Sequence, residues 1–259
     1  MAVFGLLVTP GGALAQTPDT VFLEELTWTE VRDALRTGKT TIIVPAGGTE
    51  QNGPHMALGK HNARVKVLSQ DIARALGDAL VAPVIAYVPE GGIAPPTAHM
   101  RYPGTITVPE EAFQKVLEFA ARSFKLHGFR NIVLLGDHGS TQAGQKAVAA
   151  RLNREWVATG VRVHAIEEYY RAAESEVPRL LRARGYSDAE LGRHAGLTDT
   201  ALMLATDARM VRPDRLRPGR EGDGVDGDPT RATAELGRPG VELIVSRTVD
   251  AVRKSITPR

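Results

Sequence analysis

The chain contains no cysteine. That excludes a disulfide framework and a thiolate metal site, so any bound metal has to be held by imidazole, carboxylate or amide groups. It also fits export to an oxidising space. No charge of one sign dominates: 32 basic residues stand against 30 acidic ones, interspersed, for a net charge of +2. No basic block marks a nucleic-acid-binding tail or a membrane-surface tail, so neither nucleic acid nor membrane is expected as a partner. Long apolar runs are also missing. The apolar run within residues 1–16 is too short to cross a bilayer as a helix. Aromatic residues are few, at 5%, and Trp28 and Trp156 read as packing residues.

What the chain does have is an ordinary globular balance, 42% hydrophobic and 24% charged over 259 residues. Residues 1–20 read as a signal-peptide remnant or flexible N-terminus. Their apolar run leads to Ala13-Leu14-Ala15, a small-x-small cleavage pattern, although no Lys or Arg precedes it. An exported chain, periplasmic or secreted, is therefore expected. Residues 21–259 are expected to form a single domain.

Four apolar, β-branched runs read as buried strands: residues 41–44, 80–88, 131–136 and 161–166. A further short strand is predicted over 105–108. Between the strands lie helical patterns. Thr29 is the expected N-cap of the first, and a second runs from 63 to 76 on a stripe of Val65, Leu68, Ile72 and Leu76. Others are predicted over 110–127, 142–156, a lid-like 169–189, 198–204, a short 230–237 and a final 241–254. Strands alternating with helices argue an α/β fold with a mainly parallel sheet.

Three polar loops stand out. The first follows the 41–44 run and carries Glu50, Asn52, His55 and His61. The second follows the 131–136 run and carries Asp137 and His138. The third carries His194 and Asp199. In open parallel sheets ligands gather outside the carboxyl ends of the strands, which brings the first two loops to one edge. Glu50, His61 and His138 make a His₂Glu set, a ligand combination of catalytic zinc sites with an open position. His55 is read as a brace of its loop and His99 as a pocket wall. His127 and His164 are read as structural or exposed.

The ordered motifs resemble the creatininase family over residues 21–254. The family's Glu-x-His-Gly-Pro-His, followed by Leu-Gly-x-Asp, is similar to Glu50-Gln51-Asn52-Gly53-Pro54-His55 and Leu58-Gly59-Lys60-His61. Its Pro-Gly-Thr after a histidine is matched by His99 and Pro103-Gly104-Thr105. Its Asn-Gly-His-Gly-Gly-Asn turn is matched by Gly136-Asp137-His138-Gly139-Ser140-Thr141, and its His-Ala-Gly and Glu-Thr-Ser segment by His194-Ala195-Gly196 and Asp199-Thr200-Ala201. The resemblance implies a three-layer α/β fold, a hexameric homo-oligomer, and a divalent-metal centre hydrolysing a small-molecule amide at its C–N bond, a cyclic one above all.

Carried over by position, Glu50 and His138 are metal ligands and His194 is the proton shuttle. Glu50 and Asp199 are further catalytic candidates. Two positions depart from the family. Asn52 stands for a ligand histidine, and His61 for the aspartate that bridges two metals. An imidazole cannot bridge as a carboxylate does. The expectation is therefore one metal per chain, zinc with manganese as the alternative, held by Glu50, His61 and His138 with Asn52 in or beside the shell. Asp137 or Asp199 restoring a second site is left open. Two rival functions remain: a metallopeptidase or deformylase-like hydrolase, and a non-catalytic exported metal- or ligand-binding protein.

Overall fold

The computed structural model describes residues 18–257. The predicted signal segment, residues 1–16, lies outside the described residues. The chain forms strands β1 (Thr41–Ala46), β2 (Ala79–Val81), β3 (Asn131–Gly136) and β4 (Arg162–Ala165). They pair in the order β2-β1-β3-β4, all in parallel. The longer helices are α1 (Trp28–Arg36), α2 (Lys60–Leu76), α3 (Glu110–His127) and α4 (Thr141–Glu155). After β4 come α5 (Glu168–Arg171), a π-helical turn at Ala172–Glu176, α6 (Val177–Arg182), α7 (Asp188–Leu191), α8 (Leu197–Asp207) and α9 (Ala234–Ile256).

The alternation of the central strand builds three layers, as the resemblance implied. Ile43 faces a core shared with Val65, Leu68 and Ile72 of α2, Leu197 and Leu202 of α8, and Ile244 and Val252 of α9. Ile42 and Val44 face the opposite core with Phe113 and Leu117 of α3 and Val148 and Leu152 of α4. A strand covered on both faces needs the near-continuous apolar run that β1 and β3 show. The crossovers β1-α2-β2 and β3-α4-β4 leave in opposite directions from two neighbouring strands. The carboxyl ends of β1 and β3 therefore flank the crevice where ligands bind in such sheets.

Several boundaries differ from the sequence expectations. The N-cap of α1 is Thr27, not Thr29. Its side chain accepts from Glu30 N–H and the Glu30 carboxylate accepts from Thr27 N–H, a reciprocal capping box. The second strand stops at Val81, because Pro83 supplies no N–H to the ladder. Beyond it only an isolated bridge, Ala46 to Ile85, remains. Residues 105–108 likewise make a single bridge, Ile106 to Thr49, rather than a strand.

The two predicted C-terminal helices are one helix that runs through Pro239. Gly237 and Gly240 lie at its contact with α8, where a Cβ on Gly237 would meet the Ala201 carbonyl at 2.0 Å. Close helix packing thus overrides the local break. The lid-like segment is split by the π turn and ends at Arg182, with α7 separate. Trp156 is packed as expected, but Trp28 is 75% exposed and lies beside the Arg32 guanidinium. Among the described residues no helix is long and apolar enough to cross a membrane.

Ile43 is fully buried between the sheet and α2. Ile43→Ala should lower the unfolding free energy by about 2–5 kcal/mol, read as a shift in the urea midpoint with little change in slope.

Candidate metal centre

The loop after β1 places Glu50 at the crevice, fully buried. The first turn of α2 adds Lys60, His61 and Arg64, all buried. The end of β3 adds Asp137 and His138, and the start of α8 adds Asp199. The three polar loops singled out from the sequence therefore do meet at one place. Loop 89–104 contributes Glu90 and His99, and the turn before α8 contributes His194. A pocket of about 230 Å³ is lined by Glu50, Lys60, His61, His99, His138 and His194, among others. His99 and His194 also border a wider open cleft of about 940 Å³. Its other walls include Tyr102, Glu190 and the glycine-rich loop 218–228.

Three imidazole nitrogens converge on the Glu50 carboxylate. His61 Nε2 lies 2.8 Å from Oε1, His138 Nε2 3.0 Å from Oε2, and His99 Nε2 3.0 Å from Oε2. The far nitrogen of each ring decides what it can do. His61 Nδ1 lies 2.5 Å from Asp137 Oδ1. A carboxylate there holds a proton on Nδ1 and turns Nε2 toward the pocket, where it hydrogen-bonds Glu50 and would offer its lone pair to a metal taking that hydrogen's place, the usual arrangement behind a metal-binding histidine. His138 Nδ1 accepts from the Ser140 N–H at 3.2 Å and faces Ser140 Oγ at 2.7 Å, so its Nε2 carries the hydrogen that Glu50 accepts, and a metal would have to take that hydrogen's place. Donor atoms of Glu50, His61 and His138 all lie within 4.8 Å of one another.

A second trio, Glu50, His99 and His194, is equally compact, and its two imidazoles differ in tautomer. Gln51 Oε1 accepts from Gly53 N–H at 2.9 Å, which turns the Gln51 amide nitrogen toward His99 Nδ1 at 3.2 Å. His99 Nδ1 is therefore an acceptor, and its Nε2 carries the hydrogen that Glu50 accepts. His194 is the converse: its Nε2–H donates to the Gln51 carbonyl at 2.9 Å. Its Nδ1 lone pair is left 3.8 Å from Glu50 Oε1.

The carboxylates differ in environment. Burial opposes charge on Glu50, but hydrogen bonds from His138 and His61 hold it well below the usual carboxylate range. Burial opposes charge on Asp137 too, and Arg64 and His61 overcome it, bringing Asp137 down to about 2. Asp199 is likewise held well below its ordinary value against its burial, by Lys60 and Arg64. Glu90 is the exception, pushed up to about 8 by burial and, beyond that, by the neighbouring Glu50 charge. Burial and the Lys60 charge bring His194 down to about 4, so it is a neutral base at neutral pH.

Asp137 and Asp199 are already committed. Asp137 accepts from Arg64 Nη2 at 2.7 Å and from the Tyr169 hydroxyl at 2.5 Å. Asp199 accepts from Lys60 Nζ at 3.1 Å, Arg64 Nη1 at 2.9 Å and the Ala195 N–H at 3.0 Å. Ala195 adopts φ +55 to present that N–H. Asn52 donates through Nδ2 to the Glu50 carbonyl at 2.9 Å and the Ala57 carbonyl at 3.3 Å, which closes the loop. Its Oδ1 is buried without a partner. His55 braces the loop from outside the centre, with Nε2 3.1 Å from Thr200 Oγ1.

The sequence reading passed over Lys60, Arg64 and Glu90. A signal for Arg64 exists: the apolar stripe of α2, stepped back by helical spacing from Leu68 and Val65, lands on Arg64 and His61. Polar residues on the buried side of a helix mark an interior polar site. Glu90 carries no such periodicity, because it sits in an irregular loop.

Known proteins share the fold described above. The creatininase family profile, described as creatinine amidohydrolase, matches residues 24–252. A mycofactocin precursor peptide peptidase of Mycobacterium tuberculosis is 27% identical over 249 residues, covering 83% of this chain and 84% of the relative. A creatinine amidohydrolase of Pseudomonas putida is 24% identical over 263 residues, covering 92% and 98%. A solved creatininase described as its manganese form superimposes with a TM-score of 0.73 at 24% identity, covering 92% of this chain and 100% of the other. A creatininase variant of zinc–zinc type gives the same TM-score of 0.73.

Arg64 joins the two committed carboxylates. Arg64→Met should cost about 3–5 kcal/mol at neutral pH by leaving buried charge unpaired. Asp137 titrates in the folded chain near 2, below its ordinary 3.8, so its stabilising contribution is complete above pH 3.8 and lost as pH falls through 2. The gap between wild type and Arg64→Met should therefore narrow across that window in unfolding curves.

Proposed function

Because the chain belongs to the creatininase family of metal-dependent amidohydrolases, we propose that it hydrolyses the C–N bond of a small, non-peptide amide, a cyclic one above all, at a single divalent metal. The observation that carries this is the convergence of Glu50, His61 and His138, with the Asp137 carboxylate behind His61. Those three residues would hold the ion, zinc or manganese. The bound metal supplies Lewis acidity, which polarises an amide carbonyl and lowers the pKa of water.

The chain's own residues supply the rest. His194 Nδ1 is an unprotonated base inside the pocket, placed to take a proton from the attacking water and return it to the leaving nitrogen. His99 donates to Glu50 and orients its carboxylate. Lys60 Nζ lies 3.8 Å from Glu50 Oε1, on the same oxygen that faces His61. A fixed ammonium at that distance repels a second divalent cation, which supports one metal per chain. Asp199 holds Lys60 and, through the Ala195 N–H, the turn that carries His194.

A peptide substrate is the second reading. It is favoured by the open cleft of about 940 Å³ beside His99 and His194, and one relative is described as a peptidase. The same proposal keeps the chain exported and assembled as a homo-oligomer, on the sequence pattern of residues 1–16 and on the family resemblance.

Elemental analysis of protein purified without a metal-affinity tag should find about one zinc or manganese per chain, lost in His61→Ala. Hydrolysis should then be measured on lactams, ureido compounds and short peptides. His194→Gln should keep the metal while turnover falls roughly 10²- to 10⁴-fold. Metal-free wild type after reconstitution, or turnover of peptides alone, would displace the proposal.

A further inference from the structure

We propose that Glu90 is a fourth protein ligand of this metal centre, so that two carboxylates and two imidazoles enclose the ion. The inference rests on the metal-dependent reading above and extends it to a residue which that reading does not use.

Glu90 is 2% exposed, and both of its carboxylate oxygens are buried without a hydrogen-bond partner. Its Oε2 lies 3.2 Å from His138 Nε2, the nitrogen that also faces Glu50. A buried carboxylate is costly to keep charged unless it is paired or coordinates a metal. The cations nearby do not serve it. Lys60 lies between Glu50 and Asp199, and Arg64 between Asp137 and Asp199. The carboxylate that neither of these two cations reaches is the one beside His138.

The backbone is shaped to hold Glu90 there. Its N–H donates to Thr107 Oγ1 at 2.9 Å, and that hydroxyl donates to the Gly91 carbonyl at 3.1 Å. Across from it, Gly48 has φ +151, and a Cβ at Gly48 would lie 2.6 Å from Glu90 Oε1. The loop after β1 therefore leaves open the space that the carboxylate fills.

Binding should be measured on purified, reconstituted protein by competition with a chromophoric chelator for Zn²⁺ and by electron paramagnetic resonance for Mn²⁺. Glu90→Gln keeps the shape and removes the charge; Glu90→Asp keeps the charge and shortens the reach. Both should weaken binding by roughly tenfold or more, since even groups behind a metal's ligands contribute 10- to 100-fold. A second carboxylate suits Mn²⁺, so the Mn²⁺ loss should be the larger. Unchanged affinity in Glu90→Gln overturns the inference alone. Full affinity in Glu90→Asp also overturns it, because charge without ligation then suffices. A wild type that binds neither metal removes this inference and the metal-dependent reading together. Should the variants misfold by circular dichroism, the zinc-loaded wild type decides by crystallography. A Glu90 oxygen at about 2.0–2.2 Å from the ion supports ligation, and a carboxylate turned away from it does not.

Discussion

A closed circuit of hydrogen bonds and ion pairs ties the crevice together. It runs from Glu50 to His61, Asp137, Arg64, Asp199 and Lys60, and returns to Glu50. Each link crosses from one element to another: the loop after β1, the first turn of α2, the end of β3 and the start of α8. Buried ion pairs add little net stability, because desolvation offsets their attraction. Breaking one is costly, since it leaves a charge stranded. The circuit therefore acts mainly on position. Any slippage of α2 or α8 against the sheet would strand a charge, so the imidazoles and Glu50 are held in one arrangement.

The sheet makes such a circuit possible. Glu50 and Asp137 stand just beyond β1 and β3, which are paired in register up to Ala46 and Gly136. With the crossovers leaving in opposite directions, a crevice opens beyond the two strand ends, and the chain lines it with polar loops and the starts of α2 and α8. The apolar cores lie on the two faces of the sheet, away from this edge. Packing fixes the frame, and the charges are confined to the one place where the frame is open.

Much of this was legible in the amino-acid order because buried parallel strands and helical stripes leave strong periodic signals. The β1 and β3 runs, the α2 stripe and the polar turns after the strands were all visible, as was the meeting of Glu50, His61 and His138. The misses have physical causes. Pro83 ends β2 early by withholding an N–H, although the apolar run continues past it. Gly237 and Pro239 read locally as a break, yet the contact of α9 with α8 carries the helix through. Glu90 was invisible because its burial depends on Gly48 and Thr107, far away in sequence, and on no pattern of its own. Lys60 looked like a surface lysine, since nothing local announces Asp199 as its partner.

The imidazole at position 61 changes what the centre can hold. Its Nδ1 is tied to Asp137, so only Nε2 faces the pocket, and one nitrogen lone pair serves one ion. Neither aspartate can turn to make up a bridge. Both oxygens of Asp137 are occupied by Arg64, His61 and Tyr169, and those of Asp199 by Lys60, Arg64 and the Ala195 N–H. With Lys60 fixed near Glu50 Oε1, a positive charge already stands beside the carboxylate that two metals would have to share. The substitution of His61, the buried lysine before it and the arginine one turn on thus form one electrostatic arrangement on the first turn of α2. Each makes sense of the others: the lysine supplies positive charge that a second metal would otherwise bring, and the arginine holds in place the carboxylate that keeps the His61 ring turned toward Glu50.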